Sequence, residues 1–335
     1  MTAKSPKKKE VTTATKSKQK FNIHEKIKKV SKNASENSIK VYVRSAKRFL
    51  KLTDLQDFPT TSAWIFKKPL LSKYDKLPLE KRRSLSVAAV KLCDAYGLDR
   101  KKTFPWVDRM NKASDEYSKK REKREWSERE KKKKPEKGWR DVIRITKFLL
   151  QRNKRFFKKS VTDVRRKDLY NMQRALIWQL FKAIPLRLTY ADIHIVDTPD
   201  SKKENIIYKS KKGKSIYKLR IRNHKTKKFR GELKHDIPRS ISQYLNKFIA
   251  ASKKLNDHDY LLSNLNGSRM TKSGLSKYLT RESAKFFGNA GFSAGMIRVL
   301  FATENRRVLE QQNKVSEKLG HNNAKTSLEY TRKDN

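Results

Sequence analysis

Apolar residues recur at helical spacing through almost the whole chain, and the period changes to two only once, between about residues 191 and 237. That single interruption sets the fold class. Ile39, Val43, Ala46 and Leu50 fall at i, i+4, i+7 and i+11, one face of an amphipathic helix, with Ser35 or Asn37 a suitable N-cap. A second helix is predicted to open near Thr60 and a third to run over 79–96, where Gly97 can close it in a left-handed conformation. Val142, Ile145 and Leu149 predict a further helix, and Leu169, Met172, Leu176 and Leu180 another that ends near Pro185. Alternation then takes over at Ala191, Ile193 and Ile195, at Tyr217, Leu219 and Ile221, and at Leu233 and Ile237. These read as three short strands of one antiparallel sheet. Helical spacing resumes at Ser240 (Ile241, Leu245, Phe248) and Ser273 (Leu275, Leu279, Phe286), and is predicted to continue from Ser293 to the end. No internal repeat is present. The expected architecture is an α-helical domain followed by an α+β domain, mostly helical with a small three-stranded antiparallel sheet.

Composition divides the chain further. Residues 1–33 are rich in Lys, Ser and Thr, too poor in apolar surface to fold alone, and are expected to be a disordered basic tail. Its Ser5-Pro6-Lys7-Lys8-Lys9 run suits a nuclear-import signal, a DNA tether or a plain solvated tail equally. Residues 34–125 read as a small helical domain whose outer face carries Lys40, Arg44, Lys47, Arg48 and Lys51. Charge runs from 118 onward, and Pro135 and Gly138 punctuate its end, so 126–138 is expected to be an exposed linker before a domain spanning 139–335. The five Trp residues, Trp64, Trp106, Trp126, Trp139 and Trp178, are expected as core or linker anchors.

Lys plus Arg number 85 against 34 Asp plus Glu, a formal net charge of +51 spread along the whole length. Such self-repulsion points to a polyanionic partner, and duplex DNA is the expected one. No apolar run approaches the roughly 18 residues a membrane span needs, and neither a signal-peptide core nor a prenylation box is seen, so no membrane partner is expected. One cysteine, Cys93, sits in an apolar helical setting, which excludes an internal disulfide and reads as a small core residue. The six His show no ligand spacing, so no metal is expected. Cysteine usage suits a reducing compartment, cytoplasm or nucleus.

Transfer of a phosphodiester without metal needs positive charge on the non-bridging oxygens, an acid for the leaving oxygen, and a nucleophile. Arg is suited to the first task because its planar fork donates two bonds to one phosphate. Arg187 follows a predicted helix in Ile184-Pro185-Leu186-Arg187-Leu188-Thr189-Tyr190-Ala191-Asp192. Lys225 lies in a basic turn with Lys227 and Lys228, either as a catalytic group or as one of several cations lining a strand turn. Arg298 lies on the helix after Ser293. Leu319-Gly320-His321 is followed nine residues later by Tyr330. In this order the residues resemble the catalytic domain of tyrosine recombinases and integrases over 139–335, and the helical domain resembles their core-binding domain. The Arg187 segment and the Lys225-Thr226 turn look most like integrases of virophages and large DNA viruses of protists.

The resemblance implies a site-specific recombinase that closes two domains around duplex DNA and assembles as a tetramer on it, using neither metal, cofactor nor ATP. It implies that Arg187 and Arg298 clamp the scissile phosphate, that Lys225 protonates the 5′ leaving oxygen, that His321 hydrogen-bonds the phosphate, and that Tyr330 forms a 3′-phosphotyrosyl intermediate. His224 and His235 are expected to have no catalytic role. Two departures stand out. Relatives carry His or Lys three residues before the second arginine, where this chain has Gly295, and only five residues follow Tyr330, so the C-terminal helix that many relatives dock on a neighbour is expected to be absent or very short. A type IB topoisomerase would share the chemistry, and a catalytically silent DNA-binding protein would share the fold.

Overall fold

Of the two caps the sequence offers, Ser35 and not Asn37 opens the first long helix, accepting from the backbone N–H of Ser38 at 3.2 Å. The computed structural model describes residues 21–210, 217–288, 291–306, 318 and 319. The chain divides into two compact units, Met1–Arg121 and Glu122–Asn335.

The first unit is all-helical: α1 (Ile23–Val30), α2 (Glu36–Leu50), a 3-10 turn (Ala63–Phe66), α3 (Lys68–Asp75), α4 (Leu79–Ala95) and α5 (Arg100–Glu122), which runs one residue into the second. Gly97 follows α4 at φ +71°, as its position predicted. Trp106 is fully buried, with the rings of Phe49 and Tyr74 edge-on to it, each 5.1 Å away. Cys93 is buried in the same core, and burial pushes its thiol up to about 12.

Two expectations are corrected in this unit. The basic tail was expected to reach residue 33, yet 23–30 are helical, and Ile23 and Ile27 are buried against α2 and α4. An eight-residue helix does not persist alone in water. Two isoleucines one turn apart supply the tertiary contact, and composition averaged over 33 residues hides them. The helix expected near Thr60 begins later: the 3-10 turn comes first, and α3 starts with a proline in its first turn.

The second unit opens with α6 (Glu128–Lys131), α7 (Trp139–Asn153), a 3-10 turn (Lys154–Phe157), α8 (Arg166–Ala183) and a 3-10 turn (Leu188–Asp192). It continues with β1 (His194–Ile195), β2 (Asn205–Lys209), β3 (Tyr217–Ile221), α9 (Lys227–Arg230), β4 (Leu233–Asp236), α10 (Arg239–Leu255), α11 (Lys272–Phe287) and α12 (Ala294–Glu304). The stretch 126–138, expected as an exposed linker, lies within this unit. Ser127 and Glu130 form a reciprocal capping box at α6, Pro135 is buried, and Trp126 packs on the core.

The sheet is four-stranded and mixed, in the order β1-β2-β3-β4, with β1 parallel to β2 and the other pairs antiparallel. The expected three-stranded antiparallel sheet is corrected accordingly. Asn205, Ile206 and Ile207 of β2 are buried in succession, so the strand shows no alternation. Of the strand expected at 191–195, only His194 and Ile195 pair; Ala191 belongs to the 3-10 turn. β3 does alternate, with Tyr217, Leu219 and Ile221 buried. α8 packs on α7 and α10, and its fully buried Trp178 meets Phe292 edge-on at 5.8 Å. The helix predicted from Ser293 is seen as α12; its expected continuation over 307–317 and 320–335 lies outside the described residues. Among the described residues no helix is long and apolar enough to cross a membrane.

Candidate active site

The site grows from the end of α8. The Tyr190 hydroxyl sits 2.7 Å from the Ile184 carbonyl oxygen and 3.2 Å from that of Leu180, donating its one proton between them. The Leu180 carbonyl also accepts from the Ile184 N–H at 2.8 Å and the Ile184 carbonyl from the Leu186 N–H at 2.7 Å, so the hydroxyl adds a second bond to the end of the helix. Burial raises the Tyr190 phenol well above the usual tyrosine value, so it serves as a neutral donor. The ring stands edge-on to Phe181 at 5.1 Å. Together these contacts fix the exit through Pro185 and Leu186, which delivers a half-buried Arg187 to the start of the next 3-10 turn.

Arg298 projects from α12 and is only 2 % exposed. Its Nη1 donates to the Pro185 carbonyl at 2.7 Å and its Nη2 to the Leu319 carbonyl at 2.6 Å. A buried charge is tolerated only when it is hydrogen-bonded. The guanidinium therefore ties the segment carrying Arg187 to the residue that precedes Gly320 and His321.

Lys225 is exposed in the turn between β3 and α9. Beside it the His224 ring bridges the loop, with Nε2 2.8 Å from the Gly231 carbonyl oxygen and Nδ1 3.0 Å from Thr226 Oγ1. A carbonyl can only accept, so Nε2 carries a proton and donates to Gly231. On β4, burial pushes His235 down to about 4, with Lys318 and His224 acting in the same direction, so it is neutral at pH 7. Its Nε2 finds no hydrogen-bond partner among the described residues.

One cleft gathers Arg187, His224, Lys225 and Arg298, with Ile221, Leu233 and Leu319 among its apolar walls and no carboxylate among the described residues that line it. Two guanidiniums and an ammonium around one cleft favour an anion, and a phosphate diester suits the forked geometry of arginine. Among the described residues no group of three or more His, Cys, Asp or Glu comes together.

Of the residues singled out in the sequence, Arg187, Lys225 and Arg298 therefore come together, while His321 and Tyr330 lie outside the described residues. Lys227 is exposed at the first position of α9, and Lys228 is in the same turn. Arg44, Lys47, Arg48 and Lys51 are all exposed along or just beyond α2 in the first unit. Gly295 is exposed in the first turn of α12, where among the described residues an added Cβ would meet only Ser293 Oγ, at 3.5 Å, an ordinary contact. Ser293 takes the N-cap position without a side-chain cap bond. Sequence reasoning missed His224 as part of the cleft; its place next to Lys225 was the available signal.

No family model matches the chain, and no curated protein does. Among solved structures it is similar to the XerH site-specific recombinase bound to its difH substrate in a pre-cleavage complex, with a TM-score of 0.50 and 15 % identity over 92 % of this chain and 81 % of that one. It is also similar to the Tn1549 transposon integrase in complex with transposon right-end DNA (TM-score 0.45, 12 % identity, 94 % and 95 % covered). A third likeness is to XerA recombinase (TM-score 0.36, 14 % identity, 93 % and 94 % covered). On the XerH likeness, the mostly helical chain with a small four-stranded mixed sheet shares the fold of that recombinase.

Proposed function

We propose that this protein is a tyrosine-type DNA strand transferase, a site-specific recombinase or integrase that acts on duplex DNA and self-associates on it as a tetramer. The observation that carries this reading is the cleft where Arg187, Lys225 and Arg298 meet beside Leu319, two residues before His321. In the proposed step the Tyr330 oxygen attacks phosphorus and gives its proton to water. The new P–O bond to Tyr330 forms as the bond to the 5′ oxygen breaks, and the Lys225 ammonium gives that oxygen a proton. Arg187, Arg298 and His321 offset the charge that builds on the non-bridging oxygens. The phosphotyrosyl bond keeps the energy of the diester, so rejoining needs neither ATP nor metal. The form of the Arg187 segment and the Lys225-Thr226 turn favour an integrase of the kind found in virophages and large DNA viruses of protists.

The test is a pool of nicked duplexes of randomised sequence. Incubation should yield a denaturant-resistant protein–DNA adduct that enriches particular sequences, persists in chelator and disappears in Tyr330→Phe. An adduct that survives in Tyr330→Phe overturns the nucleophile assignment. Gly295 favours one second reading, a catalytically silent DNA-binding protein of the same fold. Sequence enrichment by binding, with no adduct from any duplex, would establish that reading instead.

A further inference from the structure

We infer that Asn205, buried at the head of β2, is a positioning residue for Lys225, so that proton delivery to the leaving oxygen depends on a side chain too buried to reach DNA. The inference rests on the proposed function and extends it by one residue.

The β2–β3 ladder ends where Asn205 pairs with Ile221; the Arg222 N–H still donates to the Glu204 carbonyl at 2.9 Å, and beyond it Asn223 has no strand residue opposite. The Asn205 side chain takes that place. Its Oδ1 accepts from the backbone N–H of Asn223 at 2.9 Å and from that of Arg222 at 3.1 Å, and its Nδ2 donates to the Asn223 carbonyl at 3.3 Å. A carboxamide offers one acceptor and one donor side by side, as a backbone residue does, so this pairing extends the sheet by one residue using a side chain. Asn205 is 2 % exposed, and no apolar residue of similar size could make these bonds.

Lys225 follows two residues later, so the place where the ladder ends sets where its turn begins. The opposite side of the turn is held at Gly231, whose carbonyl accepts from His224 and whose φ of +64° favours glycine. Glu232 then grips Arg220 and Arg222 of the departing strand at 2.9–3.1 Å. Lys225 itself, exposed and long, has no comparable anchor among the described residues. Its reach over the cleft is set by the loop, and Asn205 is the buried group that fixes the loop's first residues. Catalytic groups lose about 10²-fold from a displacement near 1 Å.

A plainly structural asparagine and a positioning one differ in what rescues their loss. A sulfur in the bridging 5′ position leaves as a thiolate and needs no proton, so it bypasses the acid. The probe is the nicked duplex recovered from the randomised pool, made with either oxygen or sulfur at that position. Lys225→Ala should slow single-turnover cleavage of the oxygen duplex by about 10²-fold or more, and sulfur should restore most of the rate. Asn205→Ala should show the same signature on a smaller scale, about tenfold or more slower with oxygen and largely restored with sulfur. The double variant should be no slower than Lys225→Ala alone. Asn205→Asp keeps the acceptor for Asn223, loses the donor and should fall between. The sulfur-to-oxygen ratio is read within one sample, so partial misfolding does not alter it, and if Asn205→Ala does not fold, Asn205→Asp carries the same test. Equal losses on both duplexes in the Asn205 variants, or additive losses in the double variant, overturn the inference while the role of Lys225 stands. Absence of sulfur rescue in Lys225→Ala overturns that role, and the inference with it.

Discussion

A guanidinium that is 2 % exposed must direct its donors at something, and Arg298 directs two at carbonyls contributed from 113 and 21 residues away. Any substitution here has two consequences, one for folding and one for the cleft. Arg298→Met leaves the Pro185 and Leu319 carbonyls without these donors and should cost the second unit roughly 2–5 kcal/mol, read from denaturant unfolding, with cleavage lost. Arg298→Lys should recover part of the stability but little cleavage, because one ammonium cannot span both carbonyls as the planar fork does. Stability unchanged in Arg298→Met would mean that these bonds contribute nothing net. His235 makes the pH dependence explicit. Burial holds it near 4 in the folded protein, with Lys318 and His224 adding to the shift and Asp236 opposing it, whereas the unfolded chain binds a proton near 6.5. Its contribution is therefore intact above about pH 6.5 and is lost as pH falls toward 4, by about 1.4 kcal/mol per pH unit. Carboxylates titrate in part of the same window, so the measurement is a difference: the fall in unfolding free energy between pH 7 and 5 should be smaller in His235→Asn than in the parent. Parallel pH profiles would show that His235 titrates normally.

At the scale of elements, α1 separates what composition can see from what packing does. Its eight residues include three lysines, yet Ile27 is fully buried and Phe21, just before the helix, stacks on Tyr96 at 4.4 Å. Ile27→Ala should destabilise the first unit by about 2–5 kcal/mol. Removing residues 1–20 should leave its unfolding midpoint unchanged, whereas removal of 1–33 should lower it. Equal midpoints for the two truncations would mean that α1 contributes nothing to folding. The same distinction explains β2. Alternation marks a strand with one face in the core, as in β3, but Asn205, Ile206 and Ile207 are buried consecutively and leave no period to read. α2, α7, α8 and α10 were legible because each carries its apolar face at regular spacing.

Across the whole molecule the dominant quantity is a net charge of +51. Duplex affinity should fall log-linearly with salt, with a slope that counts several phosphate contacts. Neutralising Arg44, Lys47, Arg48 and Lys51 together should weaken binding to all sequences alike and make that slope shallower. An unchanged slope would mean that the exposed face of α2 does not touch DNA. The charge, the helical periods and the chain order of Arg187, Lys225 and Arg298 were determined by the sequence alone, whereas of the caps it offered, Ser35 or Asn37, the structure uses Ser35. Each is a sum over residues or a pattern within a few turns, so no knowledge of distant contacts is required. Only the tertiary structure decided the fourth strand and its parallel partner, the burial of α1, the cleft that adds His224 to the cations, the hold of Arg298 on Pro185 and Leu319, and the pairing of Asn205 with Asn223. Those bonds join residues 18 to 113 apart in the chain, and which distant groups meet is settled by how the elements pack, which no local spacing encodes.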